Sequence, residues 1–133
     1  MTIRLGHYSI RAHDLGEAQR FYTDVLGLRV GFRPPFSFRG VWLYAGDDDS
    51  GHGLVHLIGA GADDYLGSRV NGGGALDHIA FTSENLESWR ERLLARQIPF
   101  EERAVPDLGL RQMFLSDPDG IVVELNFPTG AED

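Results

Sequence analysis

The sequence of 133 residues contains no cysteine. A chain without thiols has no disulfide framework, no thiolate nucleophile and no iron–sulfur ligands, which is typical of a reducing compartment. Nor does it contain the run of roughly 20 apolar residues that a membrane span needs. The start, "MTIRLGHYSI", lacks the basic segment and long apolar stretch of a signal peptide. We therefore expect a cytoplasmic protein with no membrane partner.

Lysine is also missing, so that all 12 basic residues are arginine. This excludes Schiff-base chemistry, a lysine general base and the lysine of a P-loop. The formal charge of −8, with acidic clusters at 47–49 and 63–64, disfavours binding to nucleic acid or to anionic membranes. The groups left for chemistry are five histidines, the carboxylates, the hydroxyls and the arginines.

The sequence repeats itself. "LGHYSIRAHDLGEAQRFY" aligns without gaps with "LDHIAFTSENLESWRERL", so that His7 falls on His78 and Leu15 on Leu86. Each copy begins with apolar residues of period 2, typical of a strand, and continues with apolar residues at helical spacing. Asp14 and Asn85 occupy matching positions and are predicted N-caps of the two helices. Each half therefore begins as strand, turn and helix.

Signals for the ends of the two helices are also present. Glu17 stands three residues after Asp14, as in a capping box. Gly27 suits the position after the end of the first helix, and Pro99 in "QIPF" is expected to end the second.

Three strand-like stretches follow each helix. In the first half they are "LRVGF", "GVWLYAG" and "GLVHLIG", and in the second "PFEERAV", "LRQMFLS" and "GIVVELNF". The turns "GDDDSGHG" and "DPDG" precede the last strand of each half. The glycine-rich stretch 60–74 reads as a linker, because neither GxGxxG spacing nor a lysine accompanies its triple glycine.

The predicted fold class is α+β, with two tandem βαβββ modules pairing about a pseudo-twofold axis into a curved mixed sheet. We expect one domain over 1–133, with module one at about 1–59, the linker at about 60–74 and module two at about 75–127.

The repeat places four potential metal ligands at equivalent positions. The last strands, "GLVHLIG" and "IVVELNF", put His56 opposite Glu124, while the first strands match His7 with His78. Strand parity places all four side chains on the sheet faces that are directed away from the helices, since the opposite faces of these strands carry residues suited to packing against helices. Imidazole and carboxylate both bind divalent metals, and a metal with open coordination positions can act as a Lewis acid.

Each of these side chains also has a simpler interpretation. His7 and His56, taken singly, are typical structural or exposed strand residues, and Glu124 can pair with an arginine such as Arg111. We expect His13, beside a helix cap, to be exposed. His52, in a glycine-rich turn, is expected to have no catalytic role.

The motifs "FYTDVLGL" and "FLSDPDGIVVELNF", together with "GHYSI" and "LDHIAF", resemble the vicinal oxygen chelate superfamily over nearly the whole chain. This superfamily includes glyoxalase I, bleomycin-resistance proteins and extradiol dioxygenases. The resemblance implies paired βαβββ modules around a metal-binding cleft, with His7, His78 and Glu124 as the recurrent ligands and His56 at the fourth, variable position. Glyoxalase I typically has a carboxylate there, so His56 looks more like the methylmalonyl-CoA epimerase branch.

The resemblance also implies a function. We expect a metal-dependent enzyme acting on a small substrate with adjacent oxygens, by glyoxalase-like lyase or isomerase chemistry through a metal-stabilised enediolate. His56 is a fourth ligand or the general base, since an ordinary pKa of about 6.5 suits that role, and Glu124 can exchange between ligand and base. The ligand set fits one divalent ion per site, and Zn, Ni, Mn, Fe and Co remain open.

Two alternatives remain. One is an extradiol ring-cleaving dioxygenase, although Phe114 stands where those enzymes typically have a tyrosine. The other is a non-catalytic protein of the bleomycin-resistance type that sequesters a drug or aromatic ligand. The resemblance implies a homodimer, in which a metal site lies within one chain or between subunits.

Candidate substrate contacts lie on the strands expected near the metal or at their ends. Ser9 falls where fosfomycin-modifying relatives place a hydroxyl. The full set is Ser9, Arg39, Trp42, Tyr44, Arg111 and Phe114.

Overall fold

The computed structural model describes residues 5–59, 76 and 78–129. The chain divides into two compact units, 1–70 and 71–133. The predicted linker at 60–74 lies outside the described residues. The assignment of 1–133 to one domain, with those module boundaries, stays a prediction.

The first module forms a four-stranded mixed sheet in the order β1-β4-β3-β2, with β1 parallel to β4 and the other pairs antiparallel. A helix and a π-helical turn follow the first strand. The elements are β1 (Tyr8–Ala12), α1 (Leu15–Arg20), the π-helical turn (Phe21–Val25), β2 (Arg29–Gly31), β3 (Gly40–Tyr44) and β4 (Val55–Gly59).

The second module repeats this topology, with the strand order β5-β8-β7-β6 and β5 parallel to β8. Its elements are β5 (His78–Thr82), α2 (Leu86–Ala95), β6 (Glu101–Val105), a 3₁₀ turn (Pro106–Leu108), β7 (Leu110–Ser116) and β8 (Val122–Pro128). The α+β class and the two tandem βαβββ modules are thus confirmed. The pairing of the modules into one curved sheet stays a prediction.

Strand register confirms the equivalence that the repeat predicted. Ser9 lies opposite His56 in the parallel pair β1–β4, and Ala80 lies opposite Glu124 in the pair β5–β8. Since Ser9 aligns with Ala80 in the repeat, His56 and Glu124 occupy the same place in their modules.

Both predicted N-caps are confirmed. The Asp14 carboxylate accepts a hydrogen bond from the Glu17 backbone N–H at 3.0 Å, and the Asn85 side chain accepts one from Ser88 N–H at 3.2 Å. Each cap satisfies a backbone donor that the helix itself leaves unpaired.

The ends of the helices differ partly from the expectation. Gly27 has the positive φ of 84° predicted for a helix end. The second helix was expected to reach Pro99 but ends at Ala95, where the chain turns through Gln97 with φ 59°. The π-helical turn was also not predicted, because wider i→i+5 bonding leaves no apolar period of its own.

The two faces of each sheet divide as expected from strand parity. In module one, α1 packs against β4, and Val55 and Leu57 on that side are at most 1% exposed. In module two, Val123 and Leu125 are buried with Met113. The opposite faces are therefore left to the polar side chains of the candidate site.

The turn "DPDG" before β8 is held by Asp117, whose Oδ1 accepts hydrogen bonds from the N–H groups of Asp119 and Ile121, each at 2.8 Å. No helix in the part of the chain that the structure describes is long and apolar enough to cross a membrane.

Candidate functional site

In module one, His56 lies between two other rings. Its imidazole stacks on that of His7, with centroids 3.7 Å apart, and on the Trp42 indole, with centroids 3.8 Å apart and planes 5° from parallel. Register explains the second contact, because Trp42 is the cross-strand neighbour of His56. His7 was predicted within the first strand but lies just before β1, which begins at Tyr8. Both faces of the His56 ring are therefore covered.

The nitrogens of His56 have distinct roles. Nε2 lies 2.6 Å from the carbonyl oxygen of His52, which can only accept a hydrogen bond. Nε2 therefore carries the proton and is the hydrogen-bond donor. In the neutral ring, Nδ1 is then the nitrogen with the free lone pair. Burial lowers the pKa of His56, the positive charges of His7 and Arg33 lower it further, and the bond to His52 acts in the opposite direction. The ring is thus biased towards its neutral form.

Gly53 makes room for this imidazole. A Cβ at Gly53 would lie 3.2 Å from His56 Nε2 and 3.3 Å from its Cδ2, and the backbone there has a φ of +72°. A side chain would therefore be strained and would also crowd the ring.

In module two, His78 and Glu124 form a pair. His78 Nε2 lies 3.2 Å from Glu124 Oε1, and the histidine side chain is 41% exposed whereas that of the glutamate is only 11% exposed. The same part of the fold that stacks His7 on His56 in module one thus places an imidazole beside a carboxylate here.

The other carboxylate oxygen of Glu124 is held by an amide. Gln112 Nε2 donates to Glu124 Oε2 at 3.0 Å and to Asn126 Oδ1 at 3.0 Å. The predicted alternative of an ion pair between Glu124 and Arg111 is wrong. Arg111 contacts Glu102 at 3.4 Å instead, on the opposite face of the sheet.

The imidazoles and the carboxylate fit a divalent metal ion in their chemistry, and His78 and Glu124 also fit one in their spacing. Two ligands at about 2.0–2.2 Å from one ion are separated by roughly 3 Å, as are His78 Nε2 and Glu124 Oε1. The bonds of His56 to a carbonyl and of Glu124 to an amide are of the kind that orient metal ligands.

The four-residue cluster across the two modules stays a prediction. Among residues 5–59, 76 and 78–129, no group of three or more His, Asp or Glu side chains is close enough to hold a metal. What the structure provides is two pairs, one in each module.

The predicted substrate contacts of module one differ in their surroundings. Ser9 is exposed beside His56, Arg39 is exposed at the start of β3, and Trp42 is half-buried on the His56 ring. Tyr44 is 2% exposed, and its hydroxyl donates to the Phe32 carbonyl at 2.6 Å.

In module two, Phe114 lies directly opposite Glu124 in the register of β7 and β8, with the guanidinium of Arg103 5.0 Å from its ring centroid. A cavity of about 650 Å³ borders this ring and is lined by Ile98, Pro99, Phe100, Glu101, Arg103, Phe114, Leu115, Ser116 and Val122. Phe114 is thus both the cross-strand neighbour of Glu124 and part of the lining of this cavity.

Sequence reasoning missed two sets of residues. One is the aromatic loop between β2 and β3, where Phe36 stacks on Phe38 at 5.2 Å and Arg33 lies over both rings. The other is Gln112 with Asn126. The alternation of polar residues in "LRQMFLS" and "IVVELNF" was a usable signal, since it predicts which side chains share a face.

Comparisons with known proteins agree with this fold. The family model of the Glyoxalase/Bleomycin resistance protein/Dioxygenase superfamily matches residues 4–125. "Glyoxylase I 4" of Arabidopsis thaliana is 30% identical over 125 residues, which cover 91% of this chain and 68% of that protein. The mitochondrial methylmalonyl-CoA epimerase of Bos taurus is 28% identical over 127 residues, covering 92% and 73%.

Among solved structures, the antibiotic-binding protein TnmS3 from Streptomyces sp. CB03234 matches with a TM-score of 0.68 at 22% identity, covering 96% of this chain and 98% of that one. At this identity the match concerns the fold alone. The family model spans both modules, from before His7 to after Glu124. The chain therefore belongs to the Glyoxalase/Bleomycin resistance protein/Dioxygenase superfamily, as its two motifs and its repeat predicted.

Proposed function

We propose that this protein is a divalent-metal-dependent lyase or isomerase for a small substrate with adjacent oxygens, and that His7, His56, His78 and Glu124 hold the ion. The observation that carries the proposal is the His78–Glu124 pair. Its Nε2 and Oε1 atoms are 3.2 Å apart, while the second carboxylate oxygen is held by Gln112. The charge of a buried carboxylate is costly unless it is balanced. The amide of Gln112 is neutral, and an ion beside His78 would balance the charge of Glu124.

The proposed reaction depends on removing a proton from the substrate carbon next to a carbonyl group. The ion, when bound, supplies Lewis acidity that stabilises negative charge on the substrate oxygens. Nδ1 has the one free lone pair of His56, because Nε2 is fixed by the His52 carbonyl. His56 therefore either binds the ion through Nδ1 or, when the substrate takes its place on the ion, accepts the proton there, and its bias towards the neutral form suits that role. Glu124 is the second candidate for this role.

The names of the relatives support this class of reaction. One is called a glyoxylase and the other an epimerase of methylmalonyl-CoA. From these names we extend only the reaction class to this chain. We also propose that the protein is a cytoplasmic homodimer. Its dimeric state is tested by sedimentation, which should give twice the protomer mass.

The test begins with metal binding by the purified protein. We expect titration calorimetry with Zn²⁺ or Ni²⁺ to show one ion per chain, and the Glu124→Ala and His7→Ala variants to bind at least 10-fold more weakly. Gln97→Ala is the control, because Gln97 lies in the turn after α2. The proposed ion site is refuted if all four proteins bind equally or not at all.

Activity is tested by proton exchange. Two substrates are offered to the metal-loaded protein in heavy water, an acyl-CoA thioester and an adduct between a 2-oxoaldehyde and a thiol. We expect the protein to catalyse incorporation of deuterium at the substrate carbon next to the carbonyl. The His56→Leu variant should lose this exchange. Oxygen uptake with catechols in the iron-loaded protein would instead establish the dioxygenase alternative.

A second function is favoured by the aromatic surroundings of His56. Phe36 is 45% exposed, and its ring centroid lies 6.2 Å from that of Trp42. Such rings can stack on a flat aromatic ligand, as a sequestering protein requires. This function predicts tight binding of an aromatic drug by the metal-free protein, lost in Trp42→Ala but unchanged in Glu124→Ala.

A further inference from the structure

The amide of Gln112 joins two side chains of the neighbouring strand. Gln112 lies opposite Asn126 in the β7–β8 register, and Glu124 is two residues before Asn126 on the same face. Both acceptors, Glu124 Oε2 and Asn126 Oδ1, lie 3.0 Å from Gln112 Nε2. The two N–H groups of the amide are therefore both used, one for each oxygen.

These contacts fix which way the amide points. A carboxylate oxygen can only accept, so a flipped amide would turn its own oxygen towards Glu124 and lose that hydrogen bond. The amide nitrogen is thus held between two acceptors, and it in turn holds the carboxylate of Glu124 with Oε1 beside His78.

The donor is neutral, and this matters for an ion ligand. An arginine at this position would neutralise the carboxylate and compete with a cation for its oxygens. An amide leaves the negative charge in place and occupies only Oε2. Arg111, the residue before Gln112, points to the other face and contacts Glu102.

We propose that Gln112 is a positioning residue that orients the carboxylate of Glu124 so that Oε1 and the His78 imidazole bind one ion together. The inference rests on the proposed function. Hydrogen-bond partners of metal ligands are commonly worth about 10–100-fold in metal affinity. Gln112 acts through Glu124 and contacts neither the ion nor the substrate.

The test compares a variant that breaks both hydrogen bonds of the Gln112 amide with a variant that breaks only one of them. Gln112→Met keeps the length of the side chain and removes both donors, whereas Asn126→Ala removes only the bond that does not touch Glu124. With Co²⁺ as the probe, we expect Gln112→Met to bind about 10–100-fold more weakly and with an altered visible absorption spectrum. Asn126→Ala should bind within about threefold of wild type, with an unchanged spectrum.

A measurement without metal separates this inference from the proposed function. In the metal-free protein, NMR should show the Gln112 side-chain amide protons shifted downfield and slow to exchange, with one of them changed in Glu124→Gln. If these signals are those of a free amide, the positioning role is wrong, whether or not the protein binds Co²⁺.

The other outcomes are equally distinct. Equal Co²⁺ affinity and spectra in wild type and Gln112→Met would refute the role of Gln112 and leave the ion site standing. If wild type binds no Co²⁺, Zn²⁺ or Ni²⁺, the proposed function fails and the positioning role falls with it. Equal unfolding midpoints of the two metal-free variants would show that lost affinity in Gln112→Met does not arise from a damaged fold.

Discussion

The most restrained of the proposed ligands is His56, a single imidazole held on both ring faces and at one nitrogen. His7 and Trp42 cover the ring, and the His52 carbonyl accepts a hydrogen bond from Nε2–H. Such a side chain loses little conformational freedom when it binds an ion, because the fold has already ordered it. Its Nδ1 is the atom through which we expect it to act.

Trp42 should report directly on this ring. The chain has two tryptophans, so in the Trp89→Phe variant the emission comes from Trp42 alone. We expect Zn²⁺ to change this emission and the change to saturate at one ion per chain, since the indole lies 3.8 Å from the imidazole that binds.

The control for this titration carries His56→Leu in the same background. There, added Zn²⁺ should leave the emission of Trp42 unchanged. If calorimetry detects binding to the Trp89→Phe protein while its emission stays constant, His56 does not bind the ion.

At the scale of single residues, the sequence predicted which side chains are candidate ligands better than it predicted their hydrogen-bond partners. Equivalent positions in the repeat indicated His7, His56, His78 and Glu124 as candidate ligands, and their role as ligands stays a prediction. Gln112 was missed because its bonds depend on the register of a hairpin, which neither strand specifies alone. For the same reason, Arg111 was considered as an ion-pair partner of Glu124, although the Arg111 side chain lies on the other face of the sheet.

Among the secondary-structure elements, α2 is held on its sheet by two kinds of contact, one apolar and one polar. Leu93 is fully buried, whereas its neighbour Leu94 is 63% exposed. Arg90 adds a polar contact, because its Nε donates to Glu102 on β6 at 2.7 Å. One apolar anchor and one ion pair thus hold α2 over the face that lies opposite the candidate site.

Leu93 and Leu94 allow a matched comparison. Leu93→Ala should lower the free energy of unfolding by about 2–5 kcal/mol, because it leaves a cavity in the core. Leu94→Ala should change it by less than about 0.5 kcal/mol. Urea unfolding of the metal-free protein measures both, and equal effects would show that α2 does not pack as described.

The ion pair predicts a dependence on pH. Hydrogen bonds from Arg90 hold the pKa of Glu102 below its ordinary range. The ionised carboxylate therefore stabilises the fold above the unfolded pKa of about 4.3, and this contribution is lost as the pH falls through the lower, folded value.

The variant Glu102→Gln should accordingly unfold at a lower temperature than wild type at pH 7. The difference should shrink as the pH is lowered into the acid range. Glu101→Gln, at the adjacent exposed position, is the control and should follow wild type. A difference that is the same at every pH would contradict this role of the Glu102 carboxylate.

The strands were largely predictable from the sequence, and the ends of the helices were less so. "LRQMFLS" coincides with β7 over its full length, because alternation and a preceding glycine define it. The early end of α2 depends on Gln97 adopting a left-handed conformation, a choice for which glycine is the usual signal. The π-helical turn after α1 likewise has no distinct sequence pattern.

For the molecule as a whole, duplication is the organising feature. Two βαβββ modules have the same strand order, and each places a pair of potential ligands on the sheet face away from its helix. The sequence revealed this plan because both copies retain the same spacing from the first strand into the helix. It could not define the reaction, since the superfamily's own description combines glyoxalases, bleomycin resistance proteins and dioxygenases.

The central proposal is that His7, His56, His78 and Glu124 bind one divalent ion. Crystals grown with Zn²⁺ and measured at the zinc absorption edge test it most directly, because anomalous scattering locates the ion without assumptions about its ligands. We predict one zinc ion per chain, bound by His7, His56, His78 and Glu124, with Gln112 still donating to the carboxylate. Zinc bound elsewhere, or by the pair of one module alone, would contradict this proposal.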